Sequence, residues 1–207
     1  LHQFESGMYV QFENPQSALM IQNQLTRYMS NDADSKFNES LRKALIIRVQ
    51  KTQDIFWNQF LSWFYMQQKE FGKAFIQEKA IYKRNPESLS SIISLGQMAI
   101  EEGDNEVATE VMDYVLQNTT DVETIVQAHT FLLKMKMEKA QEKDFAAINA
   151  QFELLLKQYG ITPVTLSLQL KQAHFVSFLM KNPTEGKAII KRAMEMQLNQ
   201  FDQAQCK

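Results

Sequence analysis

A single cysteine, Cys206, is all the thiol chemistry this chain carries. No disulfide can form within it and no thiolate metal site can be built, and one cysteine does not fix the redox compartment. Glycine and proline are scarce too, six and four in 207 residues. Tight turns are therefore few, and the elements between them must be long. No apolar run approaches the ~20 residues of a membrane span, so direct membrane insertion is not expected. No charged-then-apolar leader is present. The chain opens on Leu1 without an initiator Met and stops at Gln205-Cys206-Lys207, inside what reads as a helix. It is expected to be a piece of a longer protein, in which a missing leader says nothing about location. Neither sign of charge dominates: 22 Lys and Arg stand against 24 Asp and Glu, a formal net charge of -2. Phosphate binding needs concentrated Lys and Arg, so nucleic acid is not an expected partner. The densest basic stretch, Lys134, Lys136 and Lys139, is interrupted by Glu138 and reads as a solvated helix face.

What is abundant is helix-forming: Gln, Lys, Glu, Ala, Leu and Met lose little rotamer freedom in a helix. The turn signals are Asn14-Pro15, Ser30 to Asp34, Asn85-Pro86, Glu102-Gly103-Asp104, Asn118 to Asp121, Gly160 to Pro163 and Asn182-Pro183. Between them, apolar residues recur at three- and four-residue spacing. Leu41, Ala44, Leu45 and Val49 make one stripe. Val107, Val111, Tyr114 and Val115 make a second, and Phe145, Ile148, Phe152 and Leu155 a third. No segment alternates as a strand would, and an all-α fold is expected.

The sequence also matches itself at a step of 34 residues. Leu61 falls on Leu95, Ser62 on Gly96, Tyr65 on Ala99 and Ala74 on Ala108, and the same step relates Ser40 to Ala74 and Ile47 to Ile81 to Val115. Two helices that cross closely need a small residue on each, here Ser62 or Gly96 on one and Ala74 or Ala108 on the other. Larger apolar residues fill the volume beside the crossing.

With Leu61, Ser62, Tyr65, Ala74 and Pro86 in one unit, and Leu95, Gly96, Gly103, Ala108 and Met112 in the next, the chain resembles the tetratricopeptide repeat (TPR) family. Departures are Ala99 where an aromatic is usual, Thr120 where Pro is usual, and an opening Trp displaced to Trp57. The resemblance implies a single helical-repeat domain over residues 1–207: helix-turn-helix units stacked as a right-handed superhelix, an α-solenoid. The strongest repeats are 54–87 and 88–121. Degenerate ones are expected at about 17–50, 122–160 (with Phe145, Ala147 and Leu154) and 162–205 (with Ala188 as its crossing alanine). In general texture the chain is similar to interior segments of the long TPR proteins exported by Bacteroidetes bacteria, which implies a periplasmic or envelope-associated setting, with the cytoplasm as the alternative.

Chemistry is harder to find. His2, His129 and His174 have no Cys or His at ligand spacing, and without organised carboxylates they make neither a metal nor an acid-base site. Glu101, Glu102 and Asp104 cluster at a helix end beside Gly103, not across a cleft as hydrolytic carboxylates must. Gly72-Lys73 and Gly186-Lys187 are each followed by Ala and lack the upstream glycine of a phosphate loop. Asn38-Glu39-Ser40 and Asn118-Thr119-Thr120 fit the glycosylation triplet by coincidence. No catalytic residue, metal or cofactor is expected.

The most unusual stretch is Phe56 to Met66, with aromatics on every side of a helix. Trp57, Phe60, Leu61 and Phe64 are expected to pack inward. Phe56, Trp63 and Met66 would then face the concave side, where the resemblance places peptide binding; the competing expectation is that they are covered core. Carboxylate-clamp members of the family carry basic residues at positions matching Gln59 and Trp63, Ile93 and Gln97, and Gln127 and Phe131; none is basic here. The expected partner-binding residues are Phe56, Gln59, Trp63, Met66, Ile93 and Gln97, on a non-catalytic scaffold for an unknown protein or peptide. An architectural spacer in a larger envelope-associated protein is the alternative, and a helical enzyme the third. Self-association through truncated repeat ends is also expected.

Overall fold

A computed structural model of the chain describes residues 15–31, 35–52, 54–196, 198 and 200–206. His2 and Asn14 lie outside them. The described residues are all-helical, with no strand among them. The helices are α1 (Pro15–Ser30), α2 (Lys36–Lys51), α3 (Ile55–Gln67), α4 (Phe71–Arg84), α5 (Ser90–Glu101) and α6 (Asn105–Asn118). They continue with α7 (Val122–Glu138), α8 (Glu142–Tyr159), a 3-10 turn at Pro163–Thr165, α9 (Leu166–His174), a π segment at Phe175–Leu179, α10 (Pro183–Met194) and α11 (Gln200–Gln205). From Asn85 onward each turn signal falls at or between helix ends, while Asp32 to Asp34 lie outside the described residues. The Cα packing divides the chain into two compact units, residues 1–81 and 82–207, and the division lies within α4.

The 34-residue step is visible as geometry. Between α3 and α4, Lys69 takes the left-handed conformation (φ 57°), while the Lys69 and Glu70 amides donate to Met66 O and Tyr65 O at 3.0 and 2.9 Å. Between α5 and α6, Gly103 does the same (φ 82°), with the Gly103 and Asp104 amides donating to Ile100 O and Ala99 O at 3.1 and 2.8 Å. Both turns satisfy orphan carbonyls at a helix end through one left-handed residue. A local contact ahead of each pair repeats as well: Asp54 Oδ1 accepts from the Phe56 amide at 2.9 Å as the cap of α3, and Ser88 Oγ, one residue before the N-cap of α5, accepts from the Ser90 amide at 3.1 Å.

Helix crossings follow the same register. A Cβ added at Gly96 would lie 2.6 Å from Met112 Cε and 2.8 Å from Val111 Cγ1, so only glycine lets α6 come this close. One step earlier, Ser62 Oγ donates to Glu78 Oε1 at 2.5 Å, and Asn58 Nδ2 to Gln77 Oε1 at 2.9 Å. Ser62 and Glu78 are the counterparts of Gly96 and Met112. The first crossing is thus polar where the second is apolar, and Ala74 and Ala108 are fully buried in both. The register also reaches α7, where Val126, Thr130 and Leu133 are buried like Asn58, Ser62 and Tyr65 on α3 and like Ile92, Gly96 and Ala99 on α5.

Outside these helices several sequence expectations fail. Ser40 is exposed, because α2 buries Leu41 and Leu45, a phase shifted by one residue from the 34-residue step. Ile47 is 48% exposed although Val115 is fully buried. On α8, Ala147 and Leu154 point to solvent; Ile148, Phe152, Leu155 and Leu156 form the buried face. They join Val126, Leu133, Leu168, Phe175 and Ile189 in one core. The crossing residue of α10 is Gly186, not the exposed Ala188. A Cβ at Gly186 would fall on Ser177 Oγ and 2.9 Å from Ala173 O, so α10 packs on the π segment itself. Asn182 sets that phase: its Oδ1 accepts from the Glu185 amide at 3.2 Å and starts the helix at Pro183.

Candidate functional site

Within the second unit, α5 and α7 flank a groove of roughly 340 Å³. From α5 and the segment before it come Ser88, Leu89, Ser90, Ile93, Ser94 and Gln97; from the α7 side come Asp121, Glu123, Thr124 and Gln127. Leu89 and Ile93, each 8% exposed, form its apolar floor. Asp121 is fixed by capping α7: its Oδ2 accepts from the Thr124 amide at 2.8 Å and from Thr124 Oγ1 at 2.7 Å. These hydrogen bonds, the side-chain one foremost, hold the Asp121 carboxyl below the usual carboxylate range, so it stays ionised. Gln97, Gln127, Ser94 and Glu123 are at or near the surface, and none of their side chains has a hydrogen-bond or ion-pair partner within the described residues. A second depression of roughly 330 Å³ shares Ser88, Leu89, Asp121 and Thr124 with the groove and adds Tyr82, Glu87 and Asn118 to Thr120.

Of the six residues singled out by sequence, Ile93 and Gln97 share this groove, and Gln127, one of the clamp-type positions, joins them. Ile93 is more buried than a contact residue on an open face would be. Phe56, Gln59, Trp63 and Met66 lie on α3, in the first unit. Gln59 is exposed; Phe56, Trp63 and Met66 are half-buried. Phe56 meets Trp57 edge-on at 5.0 Å and Phe60 at 5.9 Å, and Trp63 lies 5.1 Å from Phe60. Trp57, Phe60, Leu61 and Phe64 are buried, so the inward set is as the sequence suggests.

Among known protein families no model matches this chain, and no curated protein matches it.

Sequence reading missed a wider cleft, roughly 770 Å³, among α6, α7 and α8. Its floor is Leu132, Met135 and Ile148; Glu106 and Glu110 stand on the α6 side, Lys136 on α7, Lys139 just past its end, and Asp144 on α8. Lys136 Nζ donates to Gln151 Oε1 at 2.9 Å across it, and Lys134 pairs with Glu138 at 4.0 Å. Nothing along the chain signals a space that three helices enclose together.

The histidines stay apart from this geometry. On α7, His129 falls where α3 and α5 bury Leu61 and Leu95; burial first, then nearby Lys136, lowers its pKa, against a smaller opposite effect from Asp113. His174 is exposed and stacks on Phe178 at 4.8 Å. No three His, Cys, Asp or Glu side chains among the described residues are grouped as a metal site. Asp104 caps α6 through the Val107 amide at 3.3 Å, which accounts for its place in the acidic run. Asn38 is half-buried with its amide nitrogen donating to Met29 O at 3.3 Å, a poor glycosylation acceptor. Cys206 is buried beside Leu166, Ala193 and Leu198. No helix among the described residues is long and apolar enough to cross a membrane.

Proposed function

We propose that this chain is a non-catalytic protein–protein interaction scaffold of TPR-like helix pairs, stacked as a right-handed superhelix whose concave face holds a peptide or protein segment. The supporting observation is that Ile93 and Gln97, expected as contact residues from the family resemblance, line one groove in the structure together with Gln127. The recurrence of turn, cap and crossing contacts between the α3–α4 and α5–α6 pairs supports the repeat reading. An extended segment needs donors and acceptors for its own backbone groups. The unpartnered carboxamides of Gln97 and Gln127 supply both. Phe56, Trp63 and Met66, half-buried on α3 in the first unit, are proposed as further contact residues.

The test is to pan a displayed peptide library against the whole chain and measure affinities of the recovered sequences. Replacing Gln97 and Gln127 together by Ala should weaken binding about tenfold, the loss of one or two hydrogen bonds to the ligand. Glu106→Gln with Glu110→Gln, at the other cleft, should leave it unchanged. Trp63→Ala should weaken binding while helicity is kept; if Trp63→Ala unfolds the chain, Trp63 is core and not a contact residue.

A further inference from the structure

The geometry points to a cationic occupant: we propose that the α5–α7 groove takes an extended peptide segment rich in lysine or arginine. This rests on the groove being the binding face. Across the groove and its adjoining depression the charged lining residues are Glu87, Asp121 and Glu123, and no Lys, Arg or His lines either one. That single sign is local, because the chain as a whole is nearly balanced, 22 basic against 24 acidic residues. The α6–α7–α8 cleft, by contrast, carries both signs. Glu87 and Glu123 are exposed and have no ion-pair partner within the described residues, so their charges face whatever enters. Asp121 remains ionised through its Thr124 hydrogen bonds, and would repel an acidic segment as well. The floor suits the same occupant. Leu89 and Ile93 give an apolar strip on which the aliphatic stem of Lys or Arg can lie while its charged end reaches a carboxylate at the rim. The free amides of Gln97 and Gln127 are left for the backbone, whatever the side chains.

The experiment measures fluorescence anisotropy of the whole chain with three end-capped, dye-labelled peptides of equal length: alternating Lys-Ser, Gln-Ser and Glu-Ser. The Lys-Ser peptide should bind about tenfold more tightly than Gln-Ser, with an advantage that shrinks as salt rises, and Glu-Ser should bind weakest. Glu87→Gln with Glu123→Gln, isosteric changes at exposed sites whose circular dichroism should not change, should cut Lys-Ser affinity about fivefold and leave Gln-Ser alone. Equal binding of the three peptides, or no effect of the double Gln variant, overturns the cationic assignment while leaving the groove in place. An equal loss from Glu106→Gln with Glu110→Gln makes the attraction general and overturns it too. Failure of Gln97→Ala with Gln127→Ala to weaken any peptide, or no binding at all, removes the groove reading and the assignment with it.

Discussion

Lys69 and Gly103 occupy the same left-handed turn position one repeat step apart, with φ 57° and 82°. An L-residue there costs about 1–2 kcal/mol that glycine avoids. A Cβ on Gly103 meets nothing within 4 Å, so the cost of Gly103→Ala is conformational and not steric. Urea denaturation should show Gly103→Ala destabilising by about 1 kcal/mol and Lys69→Gly stabilising by a similar or smaller amount. His129 gives a second test at this scale. Its pKa in the folded chain lies below the ordinary 6.5, so as pH falls the unfolded chain takes the proton first. Its contribution to stability is intact above about pH 6.5 and is lost as pH drops through the depressed value. Replacing His129 by Leu, the residue its repeat position carries on α3 and α5, should flatten the stability–pH curve in that window. An unchanged slope would show that His129 does not govern it.

Among the elements, the two crossings answer one register with different chemistry. Ser62→Ala removes a buried hydrogen bond to the Glu78 carboxylate and should cost about 1.5–3 kcal/mol. Gly96→Leu overpacks against Val111 and Met112 and should cost at least as much. A thermal melt of each variant measures both. What could be read along the chain at this level follows the physics of each pair. Helix ends were legible because Gly, Pro, Asn and Asp act locally. The α3–α6 register was legible because Leu, Ser or Gly, and Ala recur in kind at the crossings. On α7 the register persists in burial, but His129 replaces a leucine and Thr130 a serine or glycine, so the identities no longer show it. In α10 the phase is set by the Asn182 cap and by packing on the π segment, which moves the crossing from Ala188 to Gly186. The groove residues Ile93 and Gln97 were legible through the family resemblance, which matches them to contact positions one step on from Gln59 and Trp63. Glu87, Glu123 and the α6–α7–α8 cleft were not, because they depend on how neighbouring helices lie together.

For the whole molecule, both tryptophans, Trp57 and Trp63, belong to the first compact unit, so their fluorescence reports that unit alone. Circular dichroism reports the helices of both. A continuous stack of repeats, each held by its neighbours, predicts one urea midpoint for the two signals. Two separated midpoints would contradict the continuous superhelix and favour two units joined through α4. The most direct test of the binding role is amide chemical-shift mapping on the isotope-labelled whole chain, titrated with the Lys-Ser peptide. A peptide held in the α5–α7 groove should give its largest shifts on Ser94, Gln97, Glu123, Thr124 and Gln127. Shifts concentrated instead on Met135, Ala140 and Ile148 would move binding to the other cleft and contradict it.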